Sequence, residues 1–420
     1  MTELSPLNSK PITECQICGN QDLTSELFLG HVPSVNSMPD IHSAPTIELR
    51  FPLELKNCEQ CKLVQIGYDV DQRILFPHSY PYLSGSTKIL RDNFNQLADE
   101  VAGVIDLKST DLVIDIGAND GTLLTPFKKA GYRVLGIEPS QAADVARANG
   151  IEMMKAYFNK QTAFDAVKKY GKAKVVTAAN VFAHMTNTHE IVDGIKDLLD
   201  NNGLFISENH YLIALIDTLQ YDTIYHEHLR YYSVTSLVHL FKQHDMEVIR
   251  VKRIPTHGGS VRVYAARKGQ FPIDASVAEI LKAEDHAGIN NGNLLKNFKK
   301  RVANSKIELL QLLAELKKEG HRIYGIGAPS RASTLINYVG INEDLVDCVM
   351  EISTSHKINK FIPGTRVPVL DEKKLYEDQP EYALLYSWHI ADELAHNLRK
   401  RGYRGKFIVP LPEPRIIDGE

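Results

Sequence analysis

No stretch of this sequence approaches the ~18 consecutive apolar residues that a membrane-spanning helix needs, and the opening MTELSPLNSKPITEC holds no apolar core of a secretory leader. A cytoplasmic protein without a membrane partner is expected. Charge of one sign is missing too: 48 lysines and arginines against 52 aspartates and glutamates leave a net charge of -4. The chain therefore lacks a broad phosphate-binding surface, which argues against nucleic acid as a partner. Cysteine is scarce. Of five, Cys15, Cys18, Cys58 and Cys61 fall into two CxxC pairs, which suits metal binding in a reducing compartment better than disulfides. Cys348 stands apart in an apolar run and reads as core. Apolar residues are plentiful, at 43% of 420, enough for two or three domains with cores of their own.

The spacing predicts an α/β protein in three parts: a small metal-stapled module over 1–72 and two Rossmann-like domains with mostly parallel sheets over 73–272 and 273–420. The first part has short apolar runs, LRFPLEL and LVQIGY, too few to hold together without a staple. Leu90, Phe94, Leu97 and Val101 recur at helical intervals. The strand-like runs LVIDIG, RVLGIEP, KVVTAAN and GLFISEN then alternate with helical stretches, the pattern of a parallel sheet. A long helix carrying Leu295, Phe298, Val302, Leu309, Leu312 and Leu316 leads into a second alternation that opens with HRIYGIGA.

Four constellations carry chemistry. The two CxxC knuckles can give four thiolates to one tetrahedral zinc; with no position left for water, that zinc is structural. Asp115-Ile-Gly117-Ala-Asn119-Asp-Gly121 follows a strand and opens a helix, and Glu138 ends the next strand, where a carboxylate can accept from both hydroxyls of an adenosine ribose. The loop lacks the GxGxxG spacing that seats a pyrophosphate and has the DxGxxxG spacing of class I methyltransferases, so S-adenosylmethionine is the expected cofactor. Asn180 and His184 end the third strand of this domain, where open α/β sheets place ligands. Last comes Tyr225-His226-Glu227-His228, followed by Tyr231 and Tyr232. Histidine is a base near neutral pH, a neighbouring glutamate can orient it, and tyrosines can stabilise an enolate oxygen. The HEH run also suggests a metal, but it lacks HExxH spacing, and alternate residues share a face only in an extended segment.

Together CxxC…CxxC, DIGANDG, ANVFAH, YHEH with YYS, HGGSVR and YGIGAPSRA resemble the sugar 3-C-methyltransferases of deoxysugar biosynthesis, over essentially the whole chain. The resemblance implies methyl transfer from S-adenosylmethionine to C3 of a nucleotide-diphosphate-linked 4-keto-deoxyhexose, by a monomer. It implies zinc on Cys15, Cys18, Cys58 and Cys61, and Gly117, Glu138 and Asn180 along the cofactor. It makes His228 the base, beside Tyr225 and Glu227, with Tyr80 or Tyr82 joining them and His184 near the transferred methyl. His257 and Arg262 of HGGSVR, Gly325, Gly327, Ala328, Ser330 and Arg331 of the GIGAPSR loop, and Trp388 are implied on the substrate side. His389 departs from the family, where an asparagine follows the tryptophan. The chemistry is coherent: a C4 ketone acidifies the C3 proton, and no catalytic metal or redox cofactor is required. An O-methyltransferase would share the cofactor loop but leave the second α/β domain without a role. The remaining alternatives are a nicotinamide-dependent nucleotide-sugar dehydrogenase or epimerase, and a zinc-ribbon scaffold carrying an inactive methyltransferase-like domain.

Overall fold

The computed structural model describes residues 8–75, 85 and 87–419; Tyr80 and Tyr82, both expected near the acceptor, lie outside the described residues. Among these, three larger sheets organise the chain. The first is antiparallel, in the order Arg230–Tyr231, Val64–Ile66, Arg50–Cys58, Leu23–Pro33. Its core is small: Leu53, Leu55, Val64 and Ile66 point inward beside the buried cysteines. One edge strand comes from the middle of the sequence. The Ile66 N–H donates to the Leu229 carbonyl at 3.0 Å, and Tyr231 pairs with Val64. The segment after His228 is therefore part of the metal module's sheet, a pairing that crosses the expected boundary at residue 72.

The second sheet has seven strands, and its parallel part is wound in the order Met153–Met154, Arg133–Ile137, Leu112–Ile116, Ala173–Ala179, Leu199–His210. Leu112–Ile116 is buried at every residue, as expected of a strand covered on both faces. A hairpin of Met246–Ile254 and Ser260–Arg267 completes it, the latter antiparallel to both neighbours. The order reverses between Leu112–Ile116 and Ala173–Ala179, opening a crevice beyond their carboxyl ends.

The third sheet repeats this winding. Its parallel strands run Pro368–Asp371, Cys348–Glu351, Ile323–Ile326, Tyr382–Leu385, Lys406–Val409, with antiparallel Lys360–Phe361 and Arg415–Ile417 at the edges. Cys348 is core. Helix Lys88–Ala102 buries Leu90, Phe94, Leu97 and Val101 as spaced. Helix Asn293–Lys318 buries Leu295, Phe298, Val302, Leu309, Leu313 and Leu316, with Leu313 taking the place expected of Leu312. Among the described residues no helix is long and apolar enough to cross a membrane.

Arg262 departs from its expected place on the substrate side. It sits inside the second sheet with no solvent exposure and pairs with Glu208 at 2.7 Å and Glu100 at 2.6 Å. It also donates to Asn93 Oδ1 at 2.9 Å, and the Tyr264 hydroxyl donates to Glu100 at 2.8 Å. This buried network fastens helix Lys88–Ala102 to the hairpin and leaves the guanidinium without an exposed donor. Arg262→Ala strands Glu208 without its cation, so urea unfolding should show a loss of about 3–5 kcal/mol. A loss below about 1 kcal/mol would contradict this structural role.

Candidate active site and metal centre

The metal centre follows from two hairpin knuckles. The Sγ atoms of Cys15, Cys18, Cys58 and Cys61 all lie within 4.8 Å of one another. The Cys15–Cys61 and Cys18–Cys58 separations are 3.4 and 3.5 Å, close to the roughly 3.8 Å sulfur spacing of a tetrahedral zinc with ~2.3 Å bonds. Four thiols so close cannot all ionise without a cation: the Cys61 hydrogen bond holds Cys15 below the usual thiol range, while that same bond and burial push Cys61 up. The donor set fits a structural zinc.

The crevice expected to take the cofactor lies at the reversal point of the second sheet. Gly117 has φ +69°, and a Cβ there would fall 2.5 Å from a Val181 methyl, so only glycine lets the two loops meet. Asn119 and Asn180 also take left-handed conformations, at φ 49° and 56°. Glu138 is pinned beside the loop, accepting from the Asn119 N–H at 3.1 Å and the Ser140 N–H at 2.9 Å. Asp115 is buried and accepts from the Thr177 hydroxyl at 2.6 Å; burial pushes its carboxyl up to about 8. Gly121 packs against Ile151. Asp120, which sequence reasoning passed over, accepts from the Gly85 N–H at 2.7 Å and the Thr122 hydroxyl at 2.6 Å, closing the crevice on one side.

A file of imidazoles lies between this crevice and the third sheet. Ring centroids are 4.8 Å apart for His184 and His228, 6.0 Å for His228 and His210, and 5.8 Å for His210 and His257. Tyr225 lies over His228 at 4.1 Å. His228 Nδ1 is 2.8 Å from the Thr223 carbonyl. A carbonyl only accepts, so Nδ1 carries the proton and Nε2 keeps its lone pair. All four rings are half-buried. Desolvation first, then the neighbouring rings and cations, pushes them below the usual imidazole range, to about 4 at His184 and about 3 at His228. His210 was not anticipated, although it closes the run GLFISENH at a strand's carboxyl end.

Two expectations for the HEH run change. Glu227 does not orient His228; the Thr223 carbonyl does. The Glu227 carboxylate, only 3% exposed, accepts instead from Asn36 Nδ2 at 2.6 Å. Burial pushes Glu227 up to about 8 against the pull of Asn36 and Lys357. His226 turns away, its Nε2 3.1 Å from the Pro52 carbonyl and its ring against Phe51. The two histidines diverge, so HEH makes no metal site.

On the third sheet, Gly327 opens the loop after Ile323–Ile326 at φ +77°. The Ala328 N–H donates to Glu351 at 2.6 Å, and Lys357 Nζ donates to the Ala328 carbonyl at 2.6 Å. This Ala328–Glu351 contact repeats the Asn119–Glu138 arrangement. Gly325 serves packing: a Cβ there would meet Tyr386 at 2.5 Å. The expected phosphate ligand Arg331 is already engaged. Its Nε and one terminal nitrogen donate to Asp222 at 2.7 and 2.8 Å, and the other terminal nitrogen lies 3.2 Å from His389 Nδ1. The Trp388 indole also donates to Asp222, at 2.8 Å. Arg331 and Trp388 thus join the second and third sheets through a buried carboxylate, and His389 has a partner of its own.

Residues 255–412 match the family described as C-methyltransferase C-terminal domain, residues 87–251 that described as Methyltransferase domain, and residues 15–76 that described as “Putative zinc binding domain”. The chain is 32% identical to the C-methyltransferase NovU of Streptomyces niveus over 414 residues, 98% of each chain. A magnesium protoporphyrin IX methyltransferase of Synechocystis PCC 6803, solved with bound S-adenosylmethionine, is 14% identical; the match covers 42% of this chain and 79% of that one, with a TM-score of 0.33.

Metal removal should reach beyond the module. Cys58→Ser, or prolonged chelation, should abolish the zinc detected by elemental analysis and strip amide-exchange protection from Arg230–Tyr231, because zinc binding is coupled to folding. Full zinc retention in Cys58→Ser would exclude this ligand set. For the imidazoles, the ring resonances of His184 and His228 should stay those of neutral rings from pH 8 to 5, where a free imidazole passes its midpoint near 6.5. Because the unfolded rings take up protons first, their contribution to stability is full above about pH 7.5 and is lost as pH falls toward 4. A midpoint near 6.5 for His228 would contradict the geometry.

Proposed function

Since the chain belongs to the C-methyltransferase family, we propose that it moves the methyl group of S-adenosylmethionine to C3 of a nucleotide-diphosphate-linked 4-keto-deoxyhexose, through an enolate formed by His228. The observation that carries this reading is the His228 ring itself: neutral, locked by Thr223 with Nε2 unprotonated, and set between the cofactor crevice and the loop Gly327–Ser330.

Glu138 would accept from the cofactor ribose, a role supported by its contact with the Asn119 N–H and by the lack of room for a side chain at Gly117. When bound, the cofactor supplies an electrophilic methyl and a sulfonium charge. His228 Nε2 takes the C3 proton, whose acidity comes from the adjacent C4 ketone. The electron pair moves onto the C4 oxygen, where the Tyr225 hydroxyl and neighbouring imidazole N–H groups can donate. Growing negative charge on that oxygen raises the basicity of His228 as the proton moves. The C3 pair then forms the new carbon–carbon bond as the sulfur–methyl bond breaks, and the proton on His228 passes to water. His184, at 4.8 Å from His228, crowds the same face and helps orient the acceptor. The third sheet would take the nucleotide end, with Gly327 giving backbone access and Lys357 supplying the cation that Arg331 does not. Thymidine and guanosine diphosphates both suit this reading.

The test separates deprotonation from methyl transfer. With a 4-keto sugar nucleotide and S-adenosylhomocysteine in heavy water, the wild-type protein should exchange the C3 hydrogen without turnover. His228→Asn should keep both ligands bound, slow that exchange and lower the methylation rate by ~10²–10⁴. His226→Asn, whose ring faces Pro52, should leave the exchange intact. Equal exchange in wild type and His228→Asn would remove His228 as the base.

A further inference from the structure

The metal module does more than hold zinc. Beyond strand Leu23–Pro33 the chain turns, the Ser37 N–H bonding the Ser34 carbonyl at 3.0 Å, and Asn36 projects from this turn toward the active-site loop. Its Nδ2 lies 2.6 Å from Glu227 Oε1, and its Oδ1 accepts from the Ser330 hydroxyl at 3.2 Å. One side chain thus touches three parts of the chain: the module that bears it, the loop of Glu227 and His228, and the first residue of helix Ser330–Val339. The carboxylate decides which way the amide faces: it only accepts, so it takes the NH₂ end, and the carbonyl end is left to accept from the Ser330 hydroxyl, which can serve either way.

Glu227 needs such a donor. It is nearly inaccessible to water, and a carboxylate there stays ionised only when hydrogen-bonded or paired. The groups set against it are Asn36 from the metal module and Lys357 from the loop after Cys348–Glu351; the His184 ring meets its backbone instead. Lys357 is shared with Glu351 and the Ala328 carbonyl.

We propose that Asn36 is a positioning residue of the acceptor site: acting through Glu227, it offsets part of the cost of ionising that buried carboxyl and holds it in one orientation, and it does so from the zinc module. The proposal rests on reading the Tyr225–His228 loop as the acceptor site. It gives the module a part in the reaction, because loss of zinc would withdraw the donor of Glu227 along with the fold that carries it.

The first measurement needs no substrate. With ¹³C-labelled glutamate, the Glu227 carboxyl resonance can be assigned by its absence in Glu227→Gln and titrated in the intact zinc-loaded protein. Asn36→Ala should raise its midpoint by about one pH unit or more, and the isosteric Asn36→Asp should raise it further, since a second carboxylate opposes ionisation. Thermal melting and zinc content identify a variant that fails to fold, and the other variant then carries the result. An unchanged midpoint in the folded variants overturns the proposal. The second measurement is a double-mutant cycle on methylation of thymidine- and guanosine-diphosphate 4-keto-6-deoxyhexoses. Asn36→Ala alone should lower kcat about tenfold to a hundredfold with S-adenosylmethionine affinity unchanged. In a Glu227→Gln background it should add less than about twofold. Losses that multiply independently would show that Asn36 does not act through Glu227. A shifted midpoint in a protein that methylates neither sugar nucleotide would sink the acceptor reading and leave the Asn36–Glu227 coupling standing.

Discussion

Arg230 is the joint on which the arrangement depends. Its guanidinium, almost wholly buried, donates to Gln16 inside the first cysteine knuckle, to the carbonyls of Phe182 and Met185 beside the cofactor crevice, and to the Tyr232 hydroxyl. Its backbone pairs with Gln65 in the zinc module's sheet. A buried cation with so many oxygen partners tolerates little displacement of any of them. Because it lies two residues beyond His228, the tyrosine–histidine loop is held at one end by this joint and at the other by the Asp222–Arg331 pair. The loop bearing the proposed base is thus suspended between two buried arginines.

Charge placement around that loop follows one rule. Buried cations are met by carboxylates or carbonyls: Arg331 by Asp222, Arg262 by Glu208 and Glu100. Desolvation holds the His210 and His228 rings below the usual imidazole range, so they stay neutral. A neutral imidazole with one nitrogen committed to a backbone carbonyl is a proton acceptor at the other, and a low-dielectric surrounding makes the gain larger once an anion develops next to it.

Much of this was legible in the sequence where one local signal sufficed. Buried parallel strands read as continuous apolar runs, as LVIDI does, and a strand's carboxyl end is where ligands gather, which marked Glu138 and Asn180. The cysteine knuckles carried their geometry in their spacing. What stayed hidden was pairing between distant residues. HGGSVR announced an arginine but not the carboxylates of Glu100 and Glu208 that claim it. GIGAPSR announced Arg331 but not Asp222. Glu227 next to His228 suggested contact between them, yet successive side chains on a tight loop diverge, and the real partners are Thr223 and Asn36. His210 looked like the tail of an ordinary strand because no periodicity distinguishes a lining residue from a packed one.

The late strand of the zinc module has a consequence for how the protein comes into being on the ribosome. Val64–Ile66 is made early and its partner Arg230–Tyr231 much later, so at ~5–20 residues per second the nascent module waits on the order of ten seconds with an uncovered sheet edge. Zinc can be captured in that interval, since all four cysteines have already emerged. The open edge offers unpaired N–H and C=O groups to any other strand. Synthesis in order from the N-terminus therefore lets metal loading precede assembly of the loop that bears the proposed base, and slow translation lengthens the time that edge stays open.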